Sequence, residues 1–352
     1  MNKLSILGTV GVPACYGGFE TLVENLLDDV TSDGVPDKKI TVYCSSKNYK
    51  EQPKYYKNAH LRYIRLNANG VQSIPYDIIS LIDAAIIKKS NNILLLGVSG
   101  AVCLPIIKVF SSAKIATNID GLEWRRSKWG RFTKAFLKFS EKIAVKFSDK
   151  VIADNQAIAD YVTQEYGVNA EVIAYGGDHA LTADITPSDE DYALALCRIE
   201  PENNVEMILE SFSHTNKSLK FIGNWDNSDF GRRMKAKYQN VKNIDIISPI
   251  YKLSTLFEIR RSCSFYVHGH SAGGTNPSLV EMMHFNKTVI AFDCNYNRAS
   301  TENNAAYFSN TEELTNHINV SSDINNAPSM LEIAKRRYTW KIVKQQYFSL
   351  FN

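Results

Sequence analysis

The stretch His268-Gly269-His270-Ser271-Ala272-Gly273-Gly274-Thr275-Asn276-Pro277-Ser278-Leu279-Val280-Glu281 concentrates chemistry-bearing residues at the point where a strand pattern gives way to a helical one. Asn276 can cap a helix that Pro277 begins, because Asn accepts the first orphan N–H groups and Pro is preset for the first helical position. The small loop Gly273, Gly274 and Thr275 before it leaves room for a phosphate at the positive helix end. Glu281, one turn inside, faces the same pocket and is placed to bind ribose hydroxyls. Two histidines around Gly269 invite a metal reading, but no third ligand is evident, and the site is read as metal-free.

Three further loops have the same strand-to-helix placement. Arg198 follows a strand in Leu196-Cys197-Arg198-Ile199-Glu200-Pro201-Glu202-Asn203-Asn204, where a guanidinium suits paired phosphate oxygens; a surface salt bridge is the plainer alternative. Gly8-Thr9-Val10-Gly11 and Tyr16-Gly17-Gly18-Phe19-Glu20 allow close backbone approach to a ligand, although a tight turn needs glycine anyway and the spacing is not G-x-G-x-x-G. In Asn118-Ile119-Asp120-Gly121-Leu122-Glu123-Trp124-Arg125-Arg126, Asp120 can accept a hydrogen bond from an acceptor hydroxyl and Trp124 can stack on a sugar face. Glu123, Arg125 and Arg126 gather beside them. The plainer alternative is a capped turn with a half-buried Trp.

These loops need a scaffold that ends strands at one edge. The first half alternates strand patterns (Leu4–Leu7, Ile40–Tyr43, Leu61–Leu66, Ile93–Leu96, Lys114–Thr117, Lys150–Ala153, Glu171–Ala174) with helical ones, which signals a parallel sheet covered by helices. A polar stretch, Ala180–Asp191, suggests a linker, after which Tyr192–Leu196, Lys220–Ile222, Ile244–Ile247, Ser264–Val267 and Thr288–Phe292 restart the alternation. The expected organisation is an N-terminal Rossmann-like domain over 1–180, a second over 190–330, and a C-terminal segment over 331–352 with a helix near Ile333–Phe348.

At 352 residues with 44% hydrophobic and 22% charged residues, the chain has the composition of a two-domain globular protein. Six scattered cysteines without metal or redox spacing fit free thiols in a reducing cytoplasm. The apolar run Ile93–Ile107 is too short and glycine-broken to span a bilayer, so membrane contact is expected to be peripheral. Net charge is +3, yet Arg125 to Lys150 holds nine basic residues against two acidic ones. Lys134, Lys138, Lys142 and Lys146, spaced at i+4, are expected to form one cationic stripe facing solvent, anionic membrane or a lipid diphosphate. No nucleic acid partner is expected.

Taken together, Leu7-Gly8-Thr9, Tyr16–Glu20, Asp120–Trp124, Tyr175-Gly176-Gly177-Asp178, Arg198–Asn204 and Gly273–Glu281 make the chain similar to bacterial GT-B-fold retaining glycosyltransferases, in particular their rhamnosyltransferase-like branch. The resemblance implies an α/β GT-B fold: two Rossmann-like domains facing across a cleft, with the C-terminal helix crossing back onto the first. It implies an N-terminal acceptor domain (Glu123, Trp124, Arg125, Arg126), with Asp120 and Arg198 catalytic. Donor binding would fall to Gly17, Gly18, Arg198, Asn203, Gly273, Gly274, Thr275, Asn276 and Glu281. It further implies no cofactor, a nucleotide-sugar donor and a lipid-linked glycan acceptor, at the inner face of the cytoplasmic membrane.

Two departures qualify this. The wider family has a Lys shortly after the Arg, where Asn203 and Asn204 stand here, and a Glu eight residues before the ribose-binding Glu, where Gly273 stands. The second absence argues against a gluco-type donor and fits a deoxysugar such as dTDP-L-rhamnose. A GT-B sugar-nucleotide epimerase and a non-catalytic nucleotide-sugar-binding protein are the alternatives.

Overall fold

The computed structural model describes residues 3–15, 17–27, 39–125, 129–181 and 190–352. By internal contacts the chain divides into two compact units, Met1–Ile173 with Lys344–Asn352, and Ala174–Val343. The stretch expected to be a linker lies mostly at 182–189, outside the described residues, as do Tyr16, Arg126 and Lys128.

Unit 1 is built on an eight-stranded sheet. Its strands are β1 (Leu4–Leu7), β2 (Ile40–Ser45), β3 (Tyr55–Tyr56), β4 (Ala59–Ile64), β5 (Asn92–Leu96), β6 (Lys114–Asn118), β7 (Lys150–Ala153) and β8 (Glu171–Val172). The order is β3-β4-β2-β1-β5-β6-β7-β8, parallel except for the short β3–β4 pair. Every residue of β5 is buried, as a strand covered on both faces requires. The connections β4 to β5, β5 to β6 and β6 to β7 all advance the same way along the sheet. Right-handed crossovers therefore put their helices on one face: the continuous helical stretch Gly70–Ile87, then Leu104–Phe110 and Arg131–Phe147. Gly70–Ile87 is long and apolar enough by composition to cross a membrane, a candidate that sequence reading passed over. Its Tyr76, Leu81, Ala84 and Ala85 are core residues.

Unit 2 carries a six-stranded sheet of β9 (Tyr192–Leu196), β10 (Ser218–Ile222), β11 (Ile244–Ile247), β12 (Phe265–His268), β13 (Thr288–Phe292) and β14 (Ala306–Phe308). Its order is β11-β10-β9-β12-β13-β14, and all five pairings are parallel. Phe212, Phe221, Trp225, Phe265 and Phe308 lie in its core. In both sheets the strand order reverses beside the first strand of the unit, between β1 and β5 and between β9 and β12. Ligands of doubly wound sheets bind outside the strand carboxyl ends at such switch points.

Two expectations need correction. The single C-terminal helix is broken into Ala327–Arg337 and Trp340–Ser349. The break has a cause: the Tyr338 carbonyl accepts from Gly177 N (2.7 Å) and His284 Nε2 (2.9 Å), and the Trp340 amide donates to Asp178 Oδ1 (2.8 Å). The lysines of Arg131–Phe147 are not one stripe either. Steps of four residues drift by about 40° each, so Lys134 and Lys146 point about 120° apart. Lys138 turns into a cluster, 3.0 Å from Glu165 and 3.7 Å from Glu141, while Lys142 and Lys146 are exposed.

Candidate functional site

In unit 2 the loops leaving β9 and β12 are joined across the switch point. Asn204 Nδ2 donates to the Gly269 carbonyl (2.8 Å), and Ser271 N and Oγ both donate to the Glu202 carbonyl (3.1 and 2.7 Å). A Cβ on Gly269 would meet the Asn203 carbonyl oxygen at 2.3 Å, so this approach requires glycine. Buried Asn203 donates through Nδ2 to the Arg198 carbonyl (2.7 Å), and Asn224 Oδ1 accepts from Ile199 N (2.8 Å). Of the two asparagines at the departure from the wider family, Asn203 fixes the backbone that carries Arg198, and Asn204 ties that loop to Gly269. The Arg198 side chain is exposed and makes no ion pair with any described residue.

Asn276 caps the helix Pro277–Met283 as its spacing implies, its Oδ1 accepting from Ser278 N (3.1 Å) and Ser278 Oγ (2.8 Å). Gly273 sits in the left-handed region (φ 112°) with open space around its Cβ direction; Thr275 is buried and Gly274 half-buried. Beneath this loop the His268 and His270 rings stack with centroids 4.4 Å apart. Burial, with His270 beside it, pushes His268 well below the ordinary imidazole value. Among the described residues no group of three or more His, Cys, Asp or Glu is placed to hold a metal.

Glu281 is held on both oxygens. Arg260 Nη2, from the helix Leu253–Ser262, binds Oε2, and His179 Nε2 lies 3.4 Å from Oε1. Burial opposes ionisation, but Arg260 and His179 together hold the carboxyl below its ordinary value. Each carboxylate oxygen keeps a second lone pair, so an added hydroxyl donor can still be accepted. His179 is set in turn by Trp340, and the Tyr175–Asp178 motif frames that contact. A Cβ on Gly176 would meet the Trp340 ring at 2.5 Å, and one on Gly177 the Val280 backbone carbonyl at 2.7 Å. Sequence reasoning missed Arg260, His179 and Trp340; the paired glycines Gly176 and Gly177 were the signal for a close approach.

In unit 1 the first turn is occupied from within. Buried Glu20 accepts from Val10 N (2.8 Å) and Thr9 Oγ1 (3.0 Å), and its other oxygen lies 2.9 Å from the Cβ direction of Gly17. Gly17 precedes the helix Gly18–Leu26, and Gly18 is exposed. Asp120 stands at the carboxyl end of β6 in the left-handed region (φ 60°), its N–H bound by Asn118 Oδ1 at 2.9 Å. Trp124 is already engaged: Nε1 donates to buried Glu141 (2.9 Å), and Arg125 and Lys138 lie 5.1 and 4.5 Å from its ring centre. Glu141 also accepts from Tyr161 and Tyr166, each at 2.7 Å. Glu123 accepts from Trp129 Nε1 at 3.2 Å. Within the described part of this loop, the plainer reading of Trp124 as a packed turn residue accounts for its contacts, while Asp120 stays part-exposed at the sheet edge.

The sequence matches the family model described as a domain of unknown function (DUF1972) over residues 1–178. No curated protein matches it by sequence. Solved structures match over the whole chain. Sucrose-phosphate synthase from Thermosynechococcus elongatus superposes with a TM-score of 0.78 at 14% identity, covering 100% of this chain and 98% of that one. A glycosyltransferase from Rickettsia africae ESF-5 gives 0.73 at 14%, with the same coverages. Anabaena HepE, solved with UDP and glucose, gives 0.72 at 14%, covering 99% of each chain. The fold is GT-B.

Proposed function

We propose that this chain, which belongs to the DUF1972 family, is a glycosyltransferase that moves a hexosyl unit from a nucleotide sugar to a lipid-linked or surface-polysaccharide precursor. The observation that carries the reading is the switch point of unit 2: an exposed Arg198, without an ion pair among the described residues, stands on a backbone fixed by Asn203 and Asn224. Such a guanidinium suits a diphosphate and stabilises the charge that grows on it as the glycosidic bond breaks. Gly273 to Asn276 would meet the sugar and distal phosphate, Glu281 the ribose, and Asp120 the acceptor hydroxyl.

The donor we favour is dTDP-L-rhamnose, with retention of configuration and no metal. Gly273 supports this choice, because it offers no side chain to hydroxyls that a deoxysugar lacks. Binding of UDP by HepE supports a nucleoside diphosphate more broadly.

Arg198→Ala tests the reading by calorimetry with dTDP and UDP, and by turnover. Nucleoside diphosphate affinity is expected to fall about tenfold or more, with turnover reduced further because the diphosphate charge is greatest in the transition state. Unchanged nucleotide binding in a folded variant overturns the donor site.

A further inference from the structure

The helical face of unit 1 exposes apolar side chains that its own core does not use. Leu104–Phe110 packs between Asp83–Ile87 and Arg131–Phe147, so the three helices form one continuous layer. On Leu104–Phe110 the outward residues are Ile106, Val109 and Phe110, the last two 76% and 69% exposed. On Arg131–Phe147 the exposed line at spacings of three and four is Phe132, Ala135, Phe139, Lys142 and Lys146, with Phe132 94% exposed. Gly70–Ile87, only 39% buried, adds Ile79, Ile82 and Ile87. Scattered apolar residues are ordinary on a surface; three adjacent helices each presenting an apolar line are not.

On the three helices themselves the exposed charges are of one sign; the nearest exposed carboxylate in the flanking turns, Asp149, is neutralised by Lys108. Every carboxylate on these helices, Asp77, Asp83 and Glu141, is buried, whereas Arg131, Lys142, Lys146 and the following Lys88 and Lys89 are exposed. An apolar face edged by lysines fits an anionic bilayer, where the side chains enter the headgroup region and the ammonium groups meet lipid phosphates. A second copy of the chain fits less well, because a two-fold contact sets the patch against itself, lysine facing lysine.

We infer that this face docks unit 1 onto an anionic lipid surface through Phe132, Phe139, Val109 and Phe110, with Lys142 and Lys146 selecting acidic headgroups. The inference deepens the lipid-linked acceptor reading and rests on it for its purpose. Docking is nevertheless measured without donor or acceptor, so the two fail separately.

The full chain is sedimented with vesicles of phosphatidylcholine alone, or containing roughly one third phosphatidylglycerol to set a negative surface potential. Binding to the anionic vesicles is expected to be at least about tenfold tighter. Lys142→Glu with Lys146→Glu erases that preference. Phe132→Ser with Phe139→Ser weakens binding by about tenfold or more. These side chains are exposed, so the variants are expected to melt like the parent and bind UDP or dTDP unchanged; Arg198→Ala binds vesicles like the parent. Equal binding to both vesicle types overturns the inference, as does full binding by the phenylalanine pair variant. So does a dimer in sedimentation equilibrium that this variant dissolves while vesicles are not bound.

Discussion

Trp340 Nε1 donates a hydrogen bond to His179 Nδ1 at 2.9 Å. An indole N–H only donates, so Nδ1 presents its lone pair and the imidazole hydrogen sits on Nε2, facing Glu281 Oε1 at 3.4 Å. The orientation of the candidate ribose carboxylate therefore depends on a tryptophan more than fifty residues beyond it in sequence. Tyr175 packs edge-on against the same indole, ring centres 4.8 Å apart, and Asp178 holds its backbone amide.

Trp340→Phe keeps most of the ring and its contact with Tyr175 but removes the N–H. The loss leaves a part-buried acceptor unpaired, which costs about 1–3 kcal/mol in urea unfolding. Nitrogen NMR of the parent is expected to show His179 with its hydrogen on Nε2, and the variant a mixture of tautomers. A parent spectrum with the hydrogen on Nδ1 would remove the relay.

Arg260→Gln tests the other side of Glu281. In the parent the folded carboxyl is held below its ordinary value of 4.5, so its contribution to stability is present above that value and is lost as pH falls through the lower folded one. Without Arg260, burial dominates and raises the folded value, so the variant is penalised most when Glu281 must be ionised. Breaking such a buried pair costs about 3–5 kcal/mol near neutral pH. The gap between parent and variant is expected to narrow as pH falls from the raised carboxyl value of the variant through the lowered one of the parent, because a protonated Glu281 no longer needs the guanidinium. A pH-independent gap would mean that Glu281 is not the group Arg260 stabilises.

Most strands are legible because parallel strands covered on both faces read as unbroken apolar runs; β1, β7, β9, β11 and β13 have the bounds their patterns suggest. The short β3 and β14 are not, since two or three residues carry no period. The glycine turns are visible for the same local reason. Arg260 is invisible because its helix reads as an ordinary basic surface, and only tertiary packing turns the guanidinium inward to 4% exposure. The lysine stripe misleads because i+4 spacing is near, but not equal to, the helical repeat.

Gly177→Ala bears on how that packing is held. A methyl there meets the Val280 carbonyl at 2.7 Å and the Glu281 amide nitrogen at 2.8 Å, both backbone atoms that cannot swing away. The helix carrying Glu281 must move, at a cost of about 1–3 kcal/mol, and nucleotide affinity is expected to fall with it. Gly130→Ala, which meets nothing within 4 Å, is the matched control and is expected to be neutral. Equal stabilities of the two variants would show that the contact at Gly177 yields without effect.

At Asp120 the backbone turn and the carboxylate chemistry are separable by substitution. Buried Asn118 makes two contacts in unit 1: Oδ1 accepts from the Asp120 amide, and Nδ2 donates to the Tyr347 hydroxyl, both at 2.9 Å. Its side chain thus joins the sheet edge to the C-terminal segment and fixes a left-handed Asp120. Asn adopts that conformation as readily as Asp, so Asp120→Asn is expected to keep stability within about 0.5 kcal/mol. If the carboxylate takes the acceptor proton, turnover falls by about 10²- to 10⁴-fold while nucleotide affinity is unchanged. Tyr347→Phe should behave in the opposite way: it leaves the buried Asn118 amide short of an acceptor, costing about 1–3 kcal/mol, but keeps the Asp120 carboxylate and most of the turnover. Urea unfolding and turnover on both variants decide the matter. Undiminished turnover in Asp120→Asn would reduce Asp120 to a residue chosen for its backbone conformation.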